Sequence, residues 1–376
     1  MKKNGLERGL ANVFLTGMIA TLFFYGCKKN NDLPYFNGDI IIVNRPEKAD
    51  CLQGEKILLD DIHTGSIDVY DSLLIFNSIQ FPDQFLSVFN LHTKKQIASL
   101  CNKGHGPNEF QGVSVYDFVI DNNQLKLWLY AFNEQKMLLL NITESINSQT
   151  TQYDSIFILD WRKKFISPFN WIFNMDNQKV LAKCPSNVVF YDQDPYSASN
   201  YYLFDPFTND TIRSYIIYNR PIVNELSSDP LAFLSSSDRI KPDKSKVAMG
   251  MRMVSQINIL DLESGKLLGF RHRNTPDYSF LEKDPFNFRV YYHQICVDDD
   301  YIYGLYLNNN LTDIEINLDF ATSEIHIFDW EGNFVKRVIL DQKMDQIAVD
   351  LKNRTLYGYN TVEEELYAYE VGEIIK

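Results

Sequence analysis

The six histidines are the first residues to test for catalytic or metal-binding chemistry. No two of them form an HExxH motif or a pair at the spacing of zinc ligands on one helix. A Gly-x-Ser-x-Gly nucleophile elbow and a phosphate-binding glycine loop are also missing from the sequence. The sequence therefore predicts no catalytic residue, no metal site and no cofactor. The histidines are His63, His92, His105, His272, His293 and His326.

Two runs of acidic residues could in principle ligate calcium. They are Asp298–Asp300 and Glu363–Glu365. Neither run has the ligand spacing of an EF-hand loop, and both lie between segments that favour strands. Solvated turns are the expectation here, with calcium ligation left as the less favoured alternative.

Aromatic residues recur in the long segments between predicted strands, close to acidic residues. Aromatic faces beside hydrogen-bonding groups suit sugar rings or peptide side chains. The alternative is that these aromatics pack the loops against the body of the protein. Four of them are the candidate ligand-binding residues: Tyr191, Tyr196, Tyr278 and Phe286.

The elements that must position these residues are short strands, which group in fours. The first strands of successive groups begin near residues 67, 115, 169, 235, 291 and 346. A four-stranded unit that repeats every 50 residues or so is typical of a β-propeller. The last group has three strands only, and Asp39–Val43 or Lys56–Ile62 can supply its fourth.

The sequence therefore predicts an all-β fold, a six-bladed β-propeller of four-stranded blades over residues 39–376, whose ring is closed by an N-terminal strand. A β-sandwich followed by a second β domain is the competing fold. It does not predict fourfold grouping along the whole chain, and no Pro- or Gly-rich linker divides the sequence.

The longest connections fall at two equivalent places in the repeat. Each joins either the second strand to the third or one blade to the next, and in a propeller both kinds of connection emerge on one face. We call this face the crossover face. Insertions collected on one face usually mark the binding surface of a repeat protein. The long connections are Ser186–Asn200, Ile217–Leu234, Asn274–Val290 and Asn308–Ser323.

A short motif separates the first two groups of strands. It reads Gly104-His105-Gly106-Pro107-Asn108-Glu109-Phe110. The glycines and the proline predict a tight crossover, and Phe110 can fill the gap between adjacent blades. With the strands that follow, the motif is similar to an NHL-type repeat and resembles more closely the six-bladed, TolB-like propeller lipoproteins of Bacteroides-type bacteria. The resemblance implies an envelope lipoprotein and carries no catalytic residue over to this chain.

The N-terminal segment predicts export. Lys2, Lys3 and Arg8 precede an apolar stretch over Val13–Phe24, which is the pattern of a secretory signal. The stretch ends in Gly26-Cys27, which resembles the lipobox of bacterial lipoproteins. This resemblance implies a signal peptide over residues 1–26, a lipid on Cys27 and a tether over residues 27–38.

The composition limits the partners. The formal net charge is −13, which argues against a nucleic acid because phosphate binding needs a clustered basic surface. An acidic chain would contact the membrane through its lipid anchor, not through a basic patch. The four remaining cysteines are expected to be buried thiols, with one disulfide left open: Cys51, Cys101, Cys184 and Cys296.

Two functional hypotheses follow. The favoured one is an outer-membrane lipoprotein, facing the periplasm or the cell surface, that binds a glycan, a peptide or an envelope protein on its crossover face without catalysis. The alternative is a hydrolase or lyase with a metal or acidic site at the central channel.

Overall fold

The computed structural model describes residues 35–61, 64–159, 169, 171–175, 179–183, 201–208, 210–219, 234–283, 289–310 and 323–375. Within these ranges, 26 strands form six sheets, each with four strands in the order of a propeller blade. The predicted all-β, six-bladed propeller is confirmed.

Each of the first three blades is a plain antiparallel meander. Blade 1 contains β4 (Ser66–Tyr70), β5 (Leu73–Asn77), β6 (Gln84–Asn90) and β7 (Lys95–Asn102). Blade 2 contains β8 (Val113–Asp121), β9 (Gln124–Ala131), β10 (Lys136–Asn141) and β11 (Tyr153–Ile158). Blade 3 contains β12 (Trp171–Asn174), β13 (Val180–Lys183), β14 (Tyr201–Phe204) and β15 (Thr211–Tyr215).

The other three blades each recruit a strand from the N-terminal segment. Blade 4 contains β16 (Ser236–Ile240), β17 (Lys246–Met251), β18 (Gln256–Asp261) and β19 (Leu267–His272). Blade 5 contains β20 (Arg289–Val297), β21 (Tyr301–Asn310), β22 (Ser323–Asp329) and β23 (Phe334–Leu340). Blade 6 contains β24 (Gln346–Val349), β25 (Thr355–Asn360) and β26 (Glu365–Glu370).

The recruited strands form a continuous strap, which we call the N-terminal strap. Its strands are β1 (Asp39–Val43), β2 (Asp50–Leu52) and β3 (Glu55–Ile57). β3 pairs antiparallel with β26 and completes blade 6, so the second of the two predicted closing segments is the one used. β1 and β2 instead pair parallel with β19 and β23 as fifth strands. The strap thus covers the outer edges of blades 4 and 5, which would otherwise be open to pairing with another chain.

Turns between the third and fourth strands keep the register of most blades. An Asn or Asp at the end of the third strand accepts a hydrogen bond from a backbone N–H two or three residues later, which closes the turn. Such Asx turns form at Asn90, Asp205, Asp261 and Asp329, and Asn360 closes the turn between the second and third strands of blade 6 in the same way. Blade 2 departs from the pattern with a short helix, α1 (Ile142–Ser148), which the sequence did not predict.

The core lies between the blades. The buried residues form six apolar clusters, and each cluster joins one blade to the next, including blade 6 to blade 1. Phe76 of blade 1, for example, meets Tyr359 of blade 6 edge to face, with ring centroids 5.1 Å apart. Such pairs stabilise by about 1 kcal/mol beyond the apolar area that they bury. The ring is therefore closed by packing as well as by strand pairing.

Candidate functional site

The first strand of each blade lines the central channel. The inner strands β4, β8, β12, β16, β20 and β24 each contribute residues to its wall. An innermost strand has one edge without a neighbouring strand, so its backbone groups and its polar side chains face this space. Side chains that start on six different strands therefore meet along one axis.

Some polar residues at the channel hold the blades together. The Ser237 hydroxyl accepts a hydrogen bond from the Ile295 N–H at 3.0 Å, which joins blade 4 to blade 5. The Gln294 amide oxygen accepts one from the Ile347 N–H at 2.7 Å, which joins blade 5 to blade 6. These two contacts satisfy open backbone donors of the inner strands, so Ser237 and Gln294 serve the architecture.

The channel consists of two chambers that meet at a waist. The crossover chamber, about 390 Å³, lies at the end where the inner strands begin, and the opposite chamber, about 370 Å³, lies where they end. Asp68, Val115, Tyr116 and Arg239 line both chambers and so define the waist. Because inner strands begin at the crossovers, the first chamber opens on the crossover face.

Asp68 is the acidic residue of the waist. Its carboxylate has no hydrogen-bond or salt-bridge partner in the part of the chain that the structure describes. Burial raises the pKa of Asp68 to about 6, and the charge of Arg239, which lowers the pKa, offsets this only in part. A carboxyl group that titrates near pH 6 and faces a cavity is typical of binding and catalytic sites.

Arg239 places a guanidinium opposite this carboxylate. Its Nη1 donates to the backbone oxygen of Asp238 at 2.9 Å, and its guanidinium carbon lies 5.3 Å from the centre of the Trp171 ring. No carboxylate lies within salt-bridge distance of Arg239 among the described residues. Since a guanidinium has five N–H donors, Arg239 keeps donors available toward the channel.

A second cation and a histidine lie above the waist in the crossover chamber. Arg252 follows β17 on a connection between second and third strands, and His293 lies on β20. Burial and the charge of Arg252 lower the pKa of His293 to about 4, so this imidazole is neutral at pH 7. Among the described lining residues, the crossover chamber therefore carries two arginine charges against the single charge of Asp68.

The opposite chamber contains a charge pair that is already made. Lys244 donates to the Asp117 carboxylate and, at 2.8 Å, to the backbone oxygen of Asn174. Burial raises the pKa of Asp117 even though Lys244 lowers it. Because Lys244 already pairs with Asp117, this chamber leaves fewer charged groups available to a ligand than the crossover chamber does.

A third polar cluster lies inside blade 5. His326 contacts the Glu324 carboxylate, and the Tyr292 hydroxyl lies 3.1 Å from His326 Nδ1. Arg337 binds Glu324 with two hydrogen bonds of 2.7 and 3.0 Å, and Arg45 of the N-terminal strap adds another. Burial alone would raise the pKa of Glu324, but the bonds from His326 and Arg337 outweigh it and lower the pKa to about 2. The cluster attaches the strap to blade 5.

Of the four aromatic candidates, Tyr278 is the one that the structure describes. It begins the short helix α2 (Tyr278–Lys283), and it is 0% exposed, with its ring stacked on Phe36 at 5.9 Å between centroids. Its side chain packs in the core and presents no aromatic face to a ligand on the surface. This is the packing role that the sequence offered as the alternative for these aromatics. Tyr191, Tyr196 and Phe286 lie outside the described residues.

The crossover motif has the predicted geometry. Gly104 has φ of +149°, and a Cβ there would come within 2.0 Å of Glu109 Oε2. The same carboxylate accepts a hydrogen bond from the Gly106 N–H at 2.9 Å, across the turn that contains Pro107. Phe110 is fully buried in the cluster between blades 1 and 2, the gap that the sequence predicts it to fill.

Two predictions about the exposure of side chains are wrong. Asp298, expected in a solvated turn, is 2% exposed. It accepts hydrogen bonds from the Tyr301 N–H at 2.7 Å, the Tyr303 hydroxyl at 2.8 Å and Arg354 Nε at 2.9 Å. Cys51, expected to be buried, is exposed.

The remaining cysteines and the anchor residue divide between described and undescribed parts of the chain. Cys101 and Cys296 are buried free thiols, as expected. Cys184 and Cys27 lie outside the described residues.

Within the described residues, no group of three or more His, Cys, Asp and Glu side chains could hold a metal ion. The same residues include no helix that is both long and apolar enough to cross a bilayer.

The channel residues Asp68, Trp171, Arg239 and Arg252 were not predicted from the sequence. The signal that could have found them is the polarity of first strands, such as Ser-Ile-Asp at 66–68 and Ser-Ser-Asp-Arg at 236–239. First strands are surrounded by other blades, so a charged residue there faces either a partner or the channel.

Comparisons with known proteins agree with this architecture. Residues 64–352 match the model of a family described as TolB-like 6-blade propeller-like. A solved member of the DUF4221 family from Bacteroides vulgatus is 11% identical, with a TM-score of 0.53 over 88% of this chain and 97% of that one. A solved protein of Bacteroides fragilis that is described as exported is also 11% identical, with a TM-score of 0.51 over 91% of this chain and 96% of that one. No curated protein matches the chain.

Proposed function

The chain belongs to the TolB-like 6-blade propeller-like family, and on that premise we propose that it is a binding protein of the bacterial cell envelope. It is anchored through a lipid on Cys27 and binds a glycan, a peptide or an envelope protein on its crossover face. The floor of the binding site is the crossover chamber. Family membership supplies the fold, and the site must support the function on its own.

The observation that carries this proposal is the crossover chamber itself. Its volume of about 390 Å³ falls in the range of ligand pockets, and all six inner strands contribute to its wall. A ligand there would contact side chains that a rigid ring of blades holds in place. Such a scaffold loses little entropy on binding.

The chamber also offers groups that the fold leaves available. Ser237 and Gln294 are engaged in joining blades, but Asp68 has no partner among the described residues and Arg239 has no carboxylate. Trp171, half-buried beside Arg239, adds an aromatic ring to the wall. Hydroxyl, amide and charged groups around an aromatic ring suit a hydroxyl-rich ligand such as a sugar.

The envelope location is supported from two directions. The N-terminal segment has a positively charged start, an apolar stretch and Gly26-Cys27 at its end. The similar protein from Bacteroides fragilis is described as exported.

The test is a binding panel of glycans, peptides and envelope proteins. Trp171→Ala, Tyr191→Ala, Tyr196→Ala and Phe286→Ala should each be measured after a melting curve confirms folding. Truncation of a true anchor should weaken binding by about 2 kcal/mol or more. Lys352→Ala, in an exposed turn at the other end of the inner strands, should have no effect. Binding that is lost with Lys352→Ala and kept in the other four would contradict the proposal.

One observation favours the enzymatic alternative. The raised pKa of Asp68 would let this residue donate a proton near neutral pH, as a general acid does. Hydrolysis of a glycosidic bond usually needs a second carboxyl group about 5–10 Å away. Asp68 is the single acid among the described residues of the crossover chamber, so binding is the better supported function. Turnover of a panel glycan that Asp68→Asn abolishes would reverse this order.

A further inference from the structure

The waist of the channel carries two opposite charges that the protein does not pair. Asp68 and Arg239 line both chambers, and both side chains are half-buried, so both reach the channel space. The Asp68 carboxylate has no hydrogen-bond or salt-bridge partner in the described ranges, and Arg239 has no carboxylate there. Arg252, the other cation of the crossover chamber, already has an interaction partner. The waist therefore offers a ligand one negative and one positive charge, whose sum is zero.

These two charges are separate but close. Asp68 and Arg239 form no salt bridge with each other, yet the charge of Arg239 lowers the pKa of Asp68 across the gap. Because Coulomb attraction weakens with distance, the two groups must be near neighbours in the channel. A ligand that bridges them has to present a positive group to Asp68 and a negative group to Arg239, a few ångströms apart.

A buried network holds the strand that presents Arg239. The preceding residue, Asp238, is 0% exposed, and its carboxylate accepts hydrogen bonds from Lys183 Nζ at 2.8 Å and from the Tyr201 hydroxyl. The Asp238 backbone oxygen accepts a hydrogen bond from Arg239, whose guanidinium lies over the Trp171 ring. The guanidinium is thus oriented before a ligand arrives. Its remaining N–H groups can bind both oxygens of a carboxylate with parallel hydrogen bonds.

Asp68 supplies the matching acceptor from the opposite side of the ring. Its neighbours on β4, Ile67 and Val69, are buried in the apolar cluster between blades 6 and 1, which fixes the strand. An ionised carboxylate is an acceptor only, and an ammonium group is a donor only, with three N–H bonds. An ammonium would therefore satisfy the Asp68 oxygens and also compensate the charge that burial makes costly.

From this arrangement we infer that the waist binds a zwitterion, a small molecule in which a short linker joins an ammonium to a carboxylate, as in a free amino acid or a short peptide. Asp68 holds the ammonium and Arg239 holds the carboxylate. The chambers of about 390 and 370 Å³ on either side leave room for side chains. This inference rests on the proposed function and, among its ligand classes, selects the peptide.

The test compares ligands that differ in one charge. The full chain, purified in detergent, is titrated at pH 7.0 with L-alanyl-L-alanine, with its N-acetyl derivative and with its C-terminal amide, and binding is followed by calorimetry and by ligand-observed NMR. At this pH the Asp68 carboxyl, with a pKa of about 6, is mostly ionised, and an α-amino group of pKa about 8 is mostly protonated. The free dipeptide should bind at least about tenfold more tightly than either derivative, because charge-assisted hydrogen bonds are roughly twice as strong as neutral ones.

Variants assign each charge of the ligand to one residue. Asp68→Asn should reduce the preference for the dipeptide over its N-acetyl derivative to less than about twofold and keep the preference over the amide. Arg239→Gln should do the reverse. Asp299→Asn and Lys352→Gln make the same changes of charge at exposed turn residues and should keep both preferences. If one waist variant fails to fold, the other variant and the ligand series on the wild type still decide.

L-Alanine, as a fourth probe, distinguishes the two sources of a zwitterion. Tighter binding of the dipeptide assigns a peptide, tighter binding of L-alanine assigns a free amino acid, and both results support the inference.

Three outcomes would overturn it. Equal binding of the free dipeptide and both derivatives would mean that the charges are not recognised, while the proposed binding function would stand. Preferences that persist in both waist variants would place the recognition elsewhere on the protein. If none of the four probes binds, the inference falls, and the wider panel decides whether the proposed function falls with it.

Discussion

Replacing Asp68 with asparagine should make the protein more stable at neutral pH. In the folded protein the pKa of Asp68 is raised from its usual 3.8 to about 6, chiefly by burial. Between these two values the folded chain holds a proton that the unfolded chain has released. Stability therefore falls as the pH rises through this window, and above it the charged carboxylate is a constant cost. Asparagine has nearly the same shape and carries no charge, so it removes that cost.

The magnitude follows from the shift. A shift of about two pKa units corresponds to about 3 kcal/mol at pH 7.5, where both states of the wild type are ionised. At pH 4.0 the folded state is protonated and the unfolded state is about half protonated, which leaves roughly 0.5 kcal/mol. The stability gain of Asp68→Asn should therefore grow by about 2 kcal/mol between pH 4.0 and pH 7.5.

The assay is urea unfolding of both proteins at several pH values between 4.0 and 7.5. Three buried histidines, His272, His293 and His326, have pKa values lowered to about 3–4, so they destabilise both proteins alike as the pH falls below 6.5. Their contribution cancels in the difference between variant and wild type. Asp299→Asn is the matched control, because it makes the same chemical change at an exposed residue in a turn of blade 5.

Two results would refute the reasoning. A constant stability difference between Asp68→Asn and wild type across this pH range would mean that the Asp68 carboxyl has an ordinary pKa. A loss of stability at pH 7.5 would mean that the carboxylate has a strong partner in the folded protein, and Arg239 would be the residue to test as that partner.

Three further predictions concern the anchor, the strap and the blades. Cys27→Ser should move the protein from the membrane fraction to the soluble fraction and stop its labelling with fatty acid; unchanged partition would contradict the lipoprotein proposal. Deleting residues 39–57 should expose strand edges in blades 4–6 and give an aggregated product, whereas a soluble protein with an unchanged melting temperature would show that the strap is dispensable. Phe110→Ala should lower the free energy of unfolding, measured by urea unfolding, by about 3–5 kcal/mol, because it leaves a cavity between blades 1 and 2. A change below about 1 kcal/mol would mean that neighbouring side chains of the two blades fill the cavity.

The fold was predictable because its signals repeat. Strand runs and their spacing recur in every unit and Asx turns in most of them, so an error in one unit does not change the count of blades. The turn at Asn90, for example, has the same side-chain hydrogen bonds as the turn at Asp205, each from the backbone N–H groups two and three residues later. The helix α1 was missed because seven residues in one blade give too short a pattern to stand out from strands.

The site was less predictable because its residues meet only through the closed ring. Asp68 and Arg239 are 171 positions apart and belong to blades 1 and 4, so no spacing in the sequence links them. Tyr278 misled for a related reason. A tyrosine in a long connection suggests a surface ligand, but Phe36, which precedes the first strand of the N-terminal strap, covers the Tyr278 ring.

The waist of the channel makes the strongest case that this propeller binds something. Where the ring needs polar residues, it satisfies them, as Ser237 and Gln294 do with backbone donors of the next blade. At the waist, Asp68 has no hydrogen-bond or salt-bridge partner among the described residues. Arg239 has no carboxylate within salt-bridge distance among them, although the two residues carry opposite charges. A direct salt bridge would stabilise the ring, and apolar side chains would stabilise it further. Keeping these charges apart costs stability, and such a cost is expected where a ligand completes the interactions.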